Sequence, residues 1–135
     1  MPDPRETRAL QALMPLAATL GIRADLYTPE RVVLSMDWAA SLCTANGILH
    51  GGAVMALADS AGAASAMLNL PEDAAGTTTI ESKTNFLVAV RSGTVTATSI
   101  PLHRGGTTMV IETTVRDSSG RLVAKVTQTQ LVLRP

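Results

Sequence analysis

One stretch, residues 44–70 (TANGILHGGAVMALADSAGAASAMLNL), most constrains how this 135-residue chain can fold. After its His-Gly-Gly sequence, small and apolar residues recur at helical spacing and predict a helix over about residues 51–68. Because this helix is apolar on almost every side, we expect it to be buried rather than to lie on a surface. Asp59 is the one carboxylate within it, and a buried carboxylate is costly without a partner or a function. The stretch therefore predicts both the centre of the fold and the centre of a site.

The composition argues against several classes of protein. Lys and Arg together number 11, as do Asp and Glu, so the net charge is zero and binding to nucleic acid through bulk charge is not expected. One Tyr, one Trp and one Phe are too few for base-stacking platforms. The single cysteine, Cys43, rules out an intramolecular disulfide and fits a reducing compartment.

Other features predict a cytoplasmic protein without a metal. The charged N-terminus, MPDPRETRAL, lacks the apolar core of a signal peptide, and Asp59 interrupts the only long apolar window, so no membrane span is expected. The two histidines, His50 and His103, lie far apart, and no Cys/His cluster has zinc spacing.

The rest of the chain predicts one α+β domain over residues 1–135. Residues 5–20 are typical of a helix that Pro15 shortens or kinks, and residues 31–38 of a strand. Beyond the central helix, the period of the apolar residues changes from 3.6 to 2. Four β-rich runs follow, at residues 77–88, 94–102, 107–116 and 122–133. Their short separators favour hairpins and an antiparallel meander. The expected architecture is a curved antiparallel sheet wrapped around one long helix.

Several segments resemble one family. Asn46-Gly47-x-x-His50-Gly51-Gly52, followed by Asp59, is similar to the corresponding segment of hotdog-fold acyl-CoA thioesterases, especially the phenylacetate-degradation type. The hydroxybenzoyl-CoA and dihydroxynaphthoyl-CoA thioesterases are related to that type. Supporting segments lie downstream, at residues 77–87, 101–106 and 117–124. The resemblance spans about residues 20–133 and implies the hotdog fold, with hydrolysis of an acyl-CoA.

The His-Gly-Gly sequence predicts an oxyanion site. If Gly51 and Gly52 open the helix, their N–H groups have no intrahelical partner and, with the helix dipole, can polarise a thioester carbonyl. Glycine leaves room for close approach of the substrate. The alternative interpretation is that the two glycines only turn the chain into the helix.

Asp59 lies eight residues after Gly51, about 12 Å along a helix, which is too far for both to act on one carbonyl within a chain. Either they are unrelated, or Gly51 of one subunit faces Asp59 of another. The resemblance implies the second arrangement, in an obligate homodimer with two shared sites that we expect to form a tetramer. Asp59 would then be the nucleophile or the general base that activates water. A purely structural alternative is an acid hydrogen-bonded to backbone or to Ser60.

His50 and Thr79 have two interpretations each. His50 either hydrogen-bonds the thioester or orients the loop. Thr79 corresponds to a family Ser/Thr that holds the attacking water, or is an ordinary strand threonine. The family usually places Asn or Gln six residues before this His; here Thr44 stands there, and Asn46, two residues later, is a candidate catalytic residue. Either Thr44 or Asn46 takes the place of the family's Asn or Gln.

CoA is the only group that the reaction requires, as part of the substrate and not as a resident cofactor. Six residues are candidates for contacts with it: Gly52, Lys83, Arg91, His103, Arg104 and Gly105. Three apolar residues are candidate walls of the acyl tunnel: Leu57, Met67 and Phe86.

The sequence therefore predicts an acyl-CoA thioesterase acting on an aryl or a short- to medium-chain acyl group. One alternative is a hotdog hydratase or dehydratase, which uses a histidine with an acid on an enoyl or hydroxyacyl thioester. The other is a non-catalytic acyl-CoA-binding module. Cys43 lacks a supporting Asp/His arrangement and is interpreted as a small core or loop residue.

Overall fold

A computed structural model describes residues 1–135, in which one long helix packs against a six-stranded sheet. The helices are α1 (Pro4–Leu13), α2 (Pro15–Leu20) and α3 (Gly51–Leu68). The strands are β1 (Arg23–Tyr27), β2 (Val32–Asp37), β3 (Gly76–Phe86), β4 (Thr94–Arg104), β5 (Thr108–Arg116) and β6 (Leu122–Leu133). The predicted α+β architecture and the bounds of α3 are confirmed.

The sheet order is β1-β2-β4-β5-β6-β3, and every neighbouring pair is antiparallel. The predicted meander is confirmed for β4, β5 and β6 but is wrong for β3. Residues 87–93 form no hairpin: the Leu87 N–H donates to Val123 O and the Leu49 N–H to Val90 O, so this connection crosses between strands. Because β2 occupies the edge of β4, β3 pairs with β6 instead, and the other edge of β3 is free.

The N-terminal region contains a strand that the sequence did not predict. The helical segment breaks at Pro15 as expected, and Gly21, at φ +68°, ends α2. The five residues of β1 then pair with β2. Arg23 joins the two strands through two hydrogen bonds to Asp37, and with the Thr94 hydroxyl it holds the pKa of Asp37 below its ordinary value.

Helix α3 is buried on one side only within a single chain. Its buried face carries Val54, Leu57, Ala58, Ala61 and Ala64, and it packs against β2, β3, β4, β5 and β6. The expectation of burial on every side, including Asp59, is wrong for one chain. The opposite face, with Gly52, Met55 and Asp59, is exposed because no element of the same chain covers it. By length and hydropathy, α3 is the one helix that could span a membrane. Its packing against the sheet explains why it is so apolar.

Candidate active site

The start of α3 is capped by the side chain of His50. The backbone of His50 is extended (φ −61°, ψ 133°), and the His50 Nδ1 accepts a hydrogen bond from the Gly52 N–H at 2.7 Å. An acceptor Nδ1 places the proton of the neutral ring on Nε2. Within the chain His50 Nδ1 is therefore occupied by the Gly52 N–H, and a hydrogen bond from His50 to the thioester stays a prediction.

Gly51 is the first residue of α3, and its N–H has no hydrogen-bond partner in the chain. A cavity of about 350 Å³ adjoins it, with Thr44, Phe86 and apolar side chains in its lining. A Cβ at Gly51 would lie 3.1 Å from Phe86 Cζ, so glycine permits the close approach of this ring. The arrangement leaves one free donor at the positive end of a helix, beside an apolar cavity.

The structure distinguishes Thr44 from Asn46. Thr44 borders the cavity beside Gly51, whereas Asn46 does not. Asn46 instead adopts the left-handed conformation (φ +64°) in the turn that the sequence predicts, and the carbonyl of the next residue accepts a hydrogen bond from Trp38.

Asp59 belongs to a polar network that joins α3 to β3 and β6. Its Oδ1 accepts hydrogen bonds from Thr79 Oγ1 (3.1 Å) and Gln128 Nε2 (3.0 Å). Gln130 Nε2 donates to Thr79 Oγ1 at 2.6 Å, and the Thr77 hydroxyl lies 3.0 Å from Gln130 Oε1. Ser60 donates to a backbone carbonyl and not to Asp59. Of the consecutive threonines, Thr79 is therefore the one that reaches the carboxylate.

Sequence reasoning missed Gln128 and Gln130, which are both fully buried. The signal was present in the alternation of β6, where Val126, Gln128, Gln130 and Val132 are buried on one face. Polar residues at two core-facing positions of a strand require partners. Here they find them in Thr79 and Asp59.

Asp59 and Gly51 border different cavities of the chain. Asp59 lines an open groove of about 370 Å³ with Gly52, Met55, Ala56, Thr79 and Ser82. Neither Gly51 nor Phe86 borders that groove. One chain therefore does not bring the carboxylate and the free N–H to one substrate carbonyl.

The candidate CoA contacts do not form one patch within a chain. Lys83 on β3 donates to Asn85, while Arg91 lies in the connection between β3 and β4. His103 and Arg104 end β4, whose 11 residues put Arg104 about 33 Å from the Arg91 end. Gly105 follows, and a Cβ there would lie 2.7 Å from His103 Nε2.

Arg91 does share a cavity, of about 340 Å³, with a second cation. Arg121, which sequence reasoning did not single out, lies there with Ser92, Ser118, Ser119 and Asp117. Residues 88–90 border both this cavity and the one beside Gly51. The two cavities therefore adjoin along one segment of the chain.

Of the three candidate tunnel walls, only Phe86 lines a cavity. Leu57 is fully buried in the core, which makes its assignment as a wall wrong. Met67 borders none of the cavities described. No group of three His, Cys, Asp or Glu side chains lies close enough together to hold a metal.

Comparison with known proteins identifies the class. The thioesterase superfamily model matches residues 46–124, more than half of the chain, and the chain belongs to this family. It is a thioester hydrolase with the hotdog fold, as the resemblance implied.

Individual relatives agree with this assignment. A thioesterase of Pseudomonas aeruginosa has a similar structure (TM-score 0.89, 29% identity), covering 100% of this chain and 96% of that one. A thioesterase family protein of Silicibacter pomeroyi is 32% identical (TM-score 0.86), covering 97% and 98% of the two chains. The 1,4-dihydroxy-2-naphthoyl-CoA hydrolase of Listeria monocytogenes is 28% identical over 110 residues, 82% of this chain and 89% of that protein.

Proposed function

We propose that the protein is an acyl-CoA thioesterase whose two active sites each combine Gly51 of one subunit with Asp59 of the other. It would hydrolyse an aryl- or short- to medium-chain acyl-CoA to a carboxylic acid and CoA. The observation that carries the proposal is the uncovered face of α3, which presents an anchored carboxylate eight residues beyond an unpartnered N–H. Both groups suit ester hydrolysis, but one helix holds them about 12 Å apart.

A second copy of the chain would bring the two groups together. The exposed α3 face lies beside β3, whose outer edge is unpaired. On and just after this strand, Ile80, Phe86 and Leu87 are each more than half exposed. Free strand edges and apolar surface of this kind favour association. Further exposed apolar residues on β4, Ile100 and Leu102, support the expectation that such dimers pair into a tetramer.

In the proposed reaction, Asp59 takes a proton from water, and the resulting hydroxide attacks the thioester carbonyl carbon. The oxyanion that forms is stabilised by the Gly51 N–H and the positive end of α3. Collapse of the intermediate breaks the C–S bond, and the departing thiolate receives the proton as CoA-SH. Thr44, at the cavity beside Gly51, lies close to where the thioester would bind.

An acyl-CoA is supported as the substrate class by two features. The Listeria relative is named a CoA hydrolase, and the cavity beside Gly51 is lined mostly by apolar residues. In the adjoining cavity Arg91 offers a guanidinium group for phosphates, whereas the Arg121 Nε is already paired with the Asp117 carboxylate. A CoA bound in this cavity would reach three further candidates only by extending across the dimer: Lys83, His103 and Arg104.

The test is release of free CoA by the purified protein from benzoyl-type, phenylacetyl and aliphatic acyl-CoAs. Asp59→Asn should lower kcat by at least about 10²-fold, the contribution of a general base, while the assembly stays folded. Turnover retained in this variant would contradict the mechanism. Hydration of crotonyl-CoA without CoA release would instead support the hydratase alternative, although His50 contacts no carboxylate in the structure.

A further inference from the structure

All hydrogen bonds that the Asp59 carboxylate accepts within the chain fall on one of its two oxygens. Oδ1 accepts from both Thr79 and Gln128, whereas Oδ2 has no partner in the chain. We propose that Gln128 is a positioning residue that, together with Thr79, fixes Oδ1 and leaves Oδ2 as the oxygen that takes the proton from water. This inference rests on the proposed function and deepens it.

The hydrogen-bond directions in the network are mutually consistent. An ionised carboxylate only accepts, so the Thr79 hydroxyl and the Gln128 amide must both donate to Asp59. Thr79 can donate its single proton to Asp59 because it accepts from Gln130 Nε2 at 2.6 Å. Gln128 Nε2 also lies 3.4 Å from Thr79 Oγ1 and can donate its second proton to it. The Thr79 hydroxyl thus accepts from the amide of Gln130 and donates to Asp59, and the carboxylate is the final acceptor.

Gly62 provides the space that this arrangement needs. A Cβ at this position would lie 1.8 Å from Gln128 Oε1 and 2.4 Å from its Cδ, so any other residue would displace the amide. Glycine inside a helix is less favourable than alanine. Its presence opposite Gln128 is explained if the amide must occupy this position.

The Gln128 amide is a poor choice for stability alone. Its side chain is fully buried, and Oε1 has no hydrogen-bond partner, which carries a desolvation cost. An apolar side chain of similar volume would avoid this cost. We therefore attribute the amide's role to its Nε2 donor, which contacts Asp59.

The experiment compares Gln128→Met with the wild-type protein in the CoA-release assay. Methionine has similar volume but no N–H, so kcat should fall about 10- to 100-fold, the loss expected for one hydrogen bond to a charged group. KM should stay within about threefold, because the amide acts on Asp59 and not on the substrate. Because a donor favours the ionised carboxylate, its loss should move the acidic limb of the pH–rate profile to higher pH.

Thr113→Val is the matched control. It breaks the buried Ser99–Thr113 hydrogen bond of 2.6 Å between β4 and β5, which shares no partner with Asp59, Thr79 or Gln128. We expect a lower melting temperature but an unchanged kcat and pH profile. In a double variant, Gln128→Met should cost nothing further once Asp59→Asn is present, since both substitutions act through the same carboxylate.

Wild-type kcat in Gln128→Met, or an additive loss in the double variant, would overturn the inference. If Gln128→Met does not fold, Thr79→Val tests the same anchoring of Oδ1, and wild-type kcat there would overturn it equally. Turnover retained in Asp59→Asn alone would instead contradict the proposed function, so the two failures are distinguishable.

Discussion

The Gly51 N–H can be removed with little disturbance to the backbone. Proline suits the first position of a helix, and His50 already has the extended conformation that a residue before proline requires. Gly51→Pro also breaks no hydrogen bond within the chain. We expect it to lower kcat about 10²- to 10³-fold, the cost of one oxyanion donor.

Gly51→Ala is the control for this substitution, because it adds a Cβ against Phe86 but keeps the N–H. The comparison of kcat for the two variants isolates the donor from the steric effect. Equal losses in both would contradict the oxyanion role and point to the contact with Phe86.

Among single residues, the sequence alone predicted Gly51, Asp59 and Thr79 as site residues, but it did not predict all of the side chains that contact them. Asp59 was recognisable because a single carboxylate interrupts an apolar run, and Thr79 from a resemblance. Gln128 is 69 positions from Asp59, and their contact depends on β3 pairing with β6. Local patterns do not specify such long-range pairing.

Among the elements, α3 has an exposed face whose burial by a partner can be tested. Met55 is 39% exposed on this face, near Asp59, so a charge there costs a single chain little. If a second subunit covers the face, Met55→Glu should shift the protein towards monomer, since an unpaired buried charge is costly.

Leu13→Glu, at a 53% exposed position on α1, is the matched control and should leave the assembly intact. Analytical ultracentrifugation over a range of concentrations measures both variants. A Met55→Glu protein that sediments like the wild type would contradict a dimer formed through α3.

The bounds of α3 were predictable because glycines begin it and proline follows it, with small apolar residues between. The position of β3 was not, since a connection of seven residues is compatible with a hairpin or a crossover. Strand β1 was missed because five residues with mixed character give little periodicity.

For the whole molecule, the decisive question is whether one active site needs two chains. Asp59→Asn and Gly51→Pro each inactivate both sites of a homodimer. In a heterodimer of the two variants, the composite arrangement leaves one site with both substitutions and the other with none. A site formed within one chain would leave both sites defective.

The most direct test is therefore the CoA-release rate after the two inactive variants are unfolded, mixed in equal amounts and refolded together. Random pairing makes half of the dimers heterodimers with one intact site, so we predict recovery of about a quarter of wild-type activity. Each variant refolded alone should remain inactive. A mixture that forms heterodimers but is no more active than its parents would contradict the shared site.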